Sequence, residues 1–197
     1  MSLKNEKLVF SLNDYNSNEG MVVNLWGPAA WHFLHTMSFN YPVTPSHQDK
    51  VNYRNHILGL RNVLPCGKCR ANLKENFKKL PLRMADMKSR ETFSKYIFNL
   101  HELINTMLGK KSNLTYEEVR NTYENFRSRC TTNKNKNKTK NGKETKETLK
   151  KHNKTKKESG CTKPLYGKKA KCLLRIVPQE DKEPTFQVDK TCIKKLV

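Results

Sequence analysis

The chain of 197 residues has room for one ordinary domain with extensions, and its 39 Lys and Arg against 18 Asp and Glu give a formal net charge of +21. No apolar run is long enough to span a membrane, and the first residues lack the basic-then-apolar pattern of a secretory leader. The expected setting is soluble and reducing, where six cysteines serve redox or catalytic chemistry more often than a disulfide scaffold.

Residues 1–24 are polar and irregular and read as a flexible arm. A helix is expected to open at Gly27-Pro28, since proline is tolerated in a first turn, and to continue with Ala30, Phe33, Leu34 and Met37 as one apolar stripe until Tyr41-Pro42. Pro45-Ser46 opens a second helix with Ser46 as cap and Val51, Leu58 and Val63 inside it. The third starts at Cys66, carries Leu73 and Phe77 at i, i+4, and stops at Pro81. Ser89 caps a fourth, where Phe93, Ile97, Leu100, Ile104 and Leu108 follow the helical period. Thr115-x-x-Glu118 is a capping box opening a fifth, with Tyr116, Val119, Tyr123 and Phe126 as its stripe. The fold class is therefore all-α, a helical bundle over residues 25–130.

Residues 131–159 hold eleven lysines, three glutamates and a single large apolar residue, Leu149. Such a stretch cannot bury enough to offset the entropy of ordering and reads as a disordered basic linker. Any nucleic-acid contact through it is weak and salt-sensitive, because no aromatic residue is interleaved for stacking. Beyond it, residues 160–197 read as a small β-rich tail with strands at 172–178 and 185–190. A fold so small needs a disulfide or docking, and Cys172 and Cys192 bracket the hairpin as a possible staple.

The chemistry concentrates in Leu64-Pro65-Cys66-Gly67-Lys68-Cys69-Arg70. Two thiols this close can open and close a disulfide, and the N–H groups and dipole of a helix start favour their thiolates. Lys68 and Arg70 add positive charge beside them. A structural zinc site would need a second ligand pair, and the remaining cysteines are not close neighbours, so no metal is expected. Two more groups recur at helical spacing: Trp31 with His35, and His101 with Asn105, followed by Lys110. An aromatic ring, two imidazoles, an amide and a lysine could line a groove for a flat phosphorylated cofactor, although each also has a plain packing role.

The order Trp26-Gly27-Pro28-x-x-Trp31-x-x-x-His35, Tyr41-Pro42, Pro65-Cys66-x-x-Cys69 and His101-x-x-x-Asn105-x-x-Leu108-Gly109-Lys110 resembles the Erv/ALR family of FAD-linked sulfhydryl oxidases, most nearly the members encoded by large DNA viruses. The resemblance runs through residues 26–110 and on to 116–127. It implies a four-helix bundle with a short fifth helix, FAD held without a covalent bond, and a homodimer. It implies that Cys66 takes electrons from protein dithiols, that Cys69 faces the flavin, and that O2 receives them as hydrogen peroxide. Gly27, Trp31, His35 and Tyr41 would lie against flavin and adenine, His101 and Asn105 at the adenine end, and Lys110 on the ribose or phosphate side. Glu102 and Ile104 depart from the family's His-Asn-x-Val-Asn, and Asn113 stands where many relatives have a cysteine that pairs with the counterpart of Cys130. The implied location is the cytoplasm of an infected host cell or the virion. Two other readings stay open from the residues alone: a basic nucleic-acid-binding protein with a structural Cys-x-x-Cys, and a flavin-free disulfide reductase.

Overall fold

The structure is a computed structural model and describes residues 11–131, 160–170, 180 and 187–194. It divides into two compact units, Met1–Ser112 and Asn113–Val197. The first unit is built on four long helices: α2 (Val23–Phe39), α3 (His47–Val63), α4 (Gly67–Lys79) and α5 (Arg90–Met107). One short turn, α1 (Leu12–Tyr15), precedes them. A 3-10 turn, Met84–Met87, lies between α4 and α5.

Local chemistry sets most of the helix starts. Ser46 and Asp49 exchange hydrogen bonds as a capping box at α3, and Ser89 and Thr92 do the same at α5. The first long helix differs from expectation. It begins at Val23, so Pro28 lies inside it and has no N–H to give to the Asn24 carbonyl. The early start is held by the Trp26 indole N–H, which donates to the Met21 carbonyl at 3.1 Å. The buried face is also rotated from the expected stripe. Leu34, His35, Ser38 and Phe39 face inward, whereas Phe33 is 57 % exposed and meets His56 edge-on.

In this unit α5 packs against α2 and α4, α3 packs against α4, and the 3-10 turn wedges against α3 and α5. Tyr41, Ile57, Met87, Phe93 and Ile97 have no exposed surface and form the centre of the core. Long polar side chains pin the loops over it: Arg54 Nε donates to the Leu82 carbonyl at 3.0 Å, Arg90 Nε to the Tyr41 carbonyl at 2.6 Å, and Tyr96 Oη to the Leu80 carbonyl at 2.9 Å. Truncating the central ring by Phe93→Ala is expected to cost about 3–5 kcal/mol through lost burial and the cavity left behind. Urea unfolding, read as a lower midpoint at unchanged slope, measures it. Parent-like stability would contradict the packing described.

The second unit contains α6 (Tyr116–Glu124), opened by the Thr115–Glu118 capping box, and a two-stranded antiparallel sheet, β1 (Ser128–Thr131) with β2 (Gly160–Pro164). The stripe of α6 is half-buried. Ser128 pairs with Pro164 and Thr131 with Gly160, with a bulge between. Thr131 thus ends a strand and is not the first residue of a linker, because its backbone has a cross-strand partner. The rest of the expected linker, and the expected strand at 172–178, lie outside the described residues. Of the expected strand at 185–190, residues 187–189 are not in a strand and Lys190–Cys192 form a 3-10 turn. Asp189 caps that turn by accepting from the Thr191 backbone N–H at 2.7 Å. Gly167 has φ of 62°, and a Cβ there would stand 2.6 Å from the Cys192 backbone, so only glycine fits. Cys192, one half of the possible Cys172–Cys192 pair, is a free thiol on this turn, and Cys172 lies outside the described residues. Cys161, at the start of β2, is disulfide-bonded.

Candidate active site

Cys66 is the cap of α4, and it is joined to Cys69 in a disulfide with Cα atoms 5.2 Å apart. The Cys66 Sγ accepts the Cys69 backbone N–H at 3.1 Å, as an Asp or Ser oxygen would at other helix starts. Both cysteines are half-buried. The first turn of α4 carries no acidic residue, so the positive end of the helix dipole acts on the sulfurs unopposed from within that turn. Arg70 turns back and donates to the Leu64 carbonyl at 2.5 Å, which fixes the Leu64-Pro65 turn that delivers Cys66. Lys68 is exposed.

A second group is assembled by α2 and α5. The Trp31 ring stacks on His101 with centroids 3.9 Å apart and planes 8° apart. His35, 4 % exposed, places Nε2 3.0 Å from His101 Nδ1. Burial is the main cause that pushes His35 down to about 3, helped by His101 and His32. Burial also pushes His101 down to about 4, with Lys110 lowering it further and Glu102 opposing. Both rings are therefore neutral near pH 7, and one donates its N–H to the other's lone pair.

These depressed values carry a stability consequence. In the unfolded chain the imidazoles take protons near their ordinary value of 6.5, while the folded protein refuses them until about pH 4 or below. Their contribution is present above 6.5 and is lost as pH falls through that window. The Tm is expected to fall from pH 6.5 towards 4, and His101→Gln should make the fall shallower. An identical slope in the variant would separate the decline from this pair.

At the end of α5, Asn105 Nδ2 donates to Glu102 Oε1 at 3.0 Å. The departure from the family pattern at position 102 thus supplies a carboxylate that orients the expected amide. Gly109, at φ of 69°, closes the helix: its N–H reaches the Thr106 carbonyl at 3.1 Å, and the Lys110 N–H reaches the Asn105 carbonyl at 2.8 Å. This left-handed closure holds Lys110 at the helix terminus beside Asn105. Gly27 lies on α2 one turn before Trp31. Tyr41 is not brought to this group. It is fully buried in the core, between Tyr53 and Phe93, and its hydroxyl donates to the Met87 carbonyl at 3.0 Å.

One contact at the disulfide had no signal in residue spacing beyond a lone glycine in a polar arm. The Met21 N–H donates to the Pro65 carbonyl at 2.8 Å, which sets Gly20 against Cys66.

The geometry defines a helical bundle with a Cys-x-x-Cys disulfide at one helix start and a stacked indole–imidazole group on helices packed with it. The Erv1/Alr family model matches residues 28–124. A probable FAD-linked sulfhydryl oxidase of Acanthamoeba polyphaga mimivirus is 40 % identical over 93 residues, covering 47 % of this chain and 64 % of its own. The FAD-linked sulfhydryl oxidase of African swine fever virus is 30 % identical over 86 residues, covering 44 % of this chain and 70 % of its own. The FAD-linked sulfhydryl oxidase ERV1 of Arabidopsis thaliana is 34 % identical over 84 residues, covering 43 % and 42 %. The chain belongs to the Erv1/Alr family. It spans 64 % of the mimivirus relative and less than half of the plant one.

Proposed function

We propose that this protein is an FAD-linked thiol oxidase that makes disulfides in other proteins. The observation that carries the reading is the Cys66–Cys69 disulfide at the dipole-positive start of α4, in a family whose relatives bear that activity in their names. The residues present fit the cofactor. A stacked indole and imidazole give a flat apolar wall, two uncharged imidazoles and the Asn105 amide offer hydrogen bonds, and Lys110 offers a cation to a diphosphate. Gly27, Trp31, His35, His101, Asn105 and Lys110 would hold it. When bound, FAD supplies a two-electron acceptor that passes electrons on to O2 and yields hydrogen peroxide.

The cysteines carry the exchange. A substrate thiolate attacks Cys66 Sγ, the Cys66–Cys69 bond breaks, and Cys69 leaves as a thiolate that the first-turn N–H groups stabilise. The second substrate thiolate then attacks the mixed disulfide at the substrate sulfur. The substrate leaves oxidised by two electrons, and Cys66 and Cys69 are left reduced by the same two. The deciding experiment is purification followed by an oxygen electrode. A yellow protein that consumes oxygen with dithiothreitol supports the proposal, and a colourless one that does neither overturns it.

The same reading assigns protein dithiols as substrates and O2 as acceptor. It assigns a homodimer, for which exposed Val23, Leu25 and Phe33 on α2 are available, and a place in the cytoplasm of an infected cell or in the virion. Among the described residues no helix is long and apolar enough to cross a membrane. A weak nucleic-acid contact through the lysines of 131–159 is a secondary proposal that rests on charge alone.

A further inference from the structure

Gly20 and Met21, within the segment 19–22, lie on the turn that delivers Cys66, and three observations show how. A Cβ built on Gly20 would stand 3.1 Å from Cys66 Cα, 3.1 Å from the Pro65 carbonyl oxygen and 3.6 Å from Cys66 Cβ. Gly20 does not have positive φ, so size, not backbone conformation, is what the position restricts. Met21 is tied on both sides: its N–H donates to the Pro65 carbonyl at 2.8 Å, and its carbonyl accepts the Trp26 indole N–H at 3.1 Å. The segment is otherwise exposed, with Met21 at 71 % and Val22 at 63 %. It is therefore a strap fixed at two points over one side of the residue that a substrate must reach. With so little buried surface, such a strap opens locally at small cost.

We propose that residues 19–22 form a wall of the thiol entry to Cys66, and that the close seating allowed by Gly20 makes the site selective for dithiols on extended, exposed segments. A thiol on a thin chain passes the wall, whereas a folded protein must displace it. The inference rests on the assignment of Cys66 as the attacked sulfur. Its test does not need turnover.

The full chain, Gly20→Leu and Met21→Pro are reduced and treated with N-ethylmaleimide or with the same maleimide on a polyethylene glycol chain. Labelling at Cys66 is read by mass spectrometry. A side chain at position 20 crowds the Cys66 Cα and the Pro65 carbonyl oxygen, each 3.1 Å from its Cβ, and proline at 21 removes the N–H given to Pro65, so the two variants loosen the strap by independent means. The ratio of bulky to small labelling rates should rise about fivefold in both, the change expected when one main-chain hydrogen bond no longer holds the strap closed. An unchanged ratio in both variants overturns the wall. A lower ratio also overturns it, because the strap would then be guiding large partners in. Labelling needs neither flavin nor oxygen. An absence of oxygen uptake in all three chains would thus count against the oxidase reading and leave this readout intact.

Discussion

Serine at position 66 or 69 is expected to reduce thiol-driven oxygen uptake by a factor on the order of 10^3 or more, as removal of a nucleophile does in other enzymes. The hydroxyl cannot form or break the bond that carries the electron pair, and nothing else in the turn can substitute. The fold should survive. Cys66 caps α4 through its Sγ, and serine is a good cap in the same place, so Cys66→Ser replaces a sulfur acceptor with an oxygen one. The cofactor should be kept as well, because its proposed contacts lie on α2 and at the end of α5. Oxygen electrode traces with dithiothreitol, set beside the visible spectrum of each variant, measure both halves of the expectation. Parent-like uptake by both variants would end the proposed mechanism.

Trp31→Ala and His101→Ala are each expected to weaken cofactor retention by about 1–3 kcal/mol, the range for stacking of a flat base on an aromatic side chain, or roughly 5- to 150-fold in Kd. The two rings lie parallel, so loss of one also frees the other to turn from its place. His101→Ala additionally removes the hydrogen-bond partner of buried His35 Nε2. Flavin absorbance after exhaustive dialysis, followed by titration of FAD into the stripped protein, gives the values. A double variant that keeps full flavin occupancy and parent-like Tm would return both rings to a packing role.

The helix starts were legible because their cause is local. Ser46, Ser89 and Thr115 each bond the residue three positions on, and that pattern is written in adjacent letters. The Cys66 start was legible for the same reason. What escaped the sequence depends on partners far along the chain. A proline commonly marks a first helical turn, but the anchor of Trp26 on Met21 carries α2 back past Pro28. A hydrophobicity count turns Phe33 inward, whereas α5 presents His101 to α2, and the neutral imidazole of His35 fills that interior place. Tyr41 stands where the family resemblance puts a cofactor contact, yet its hydroxyl is taken up by Met87 and its ring by the core. The strands at 128–131 and 160–164 lack apolar alternation, so only their mutual pairing identifies them.

That pairing fixes where Cys161 stands. Thr131 stands opposite Gly160, so the residues that flank 132–159 on either side are held next to each other by strand pairing. The location of Cys161 is then fixed by strand register and not by how far a flexible chain can stretch. Closure entropy grows only with the logarithm of length, so doubling such a connection costs about 0.6 kcal/mol. Insertions between the two paired strands therefore cost little against the register that places Cys161.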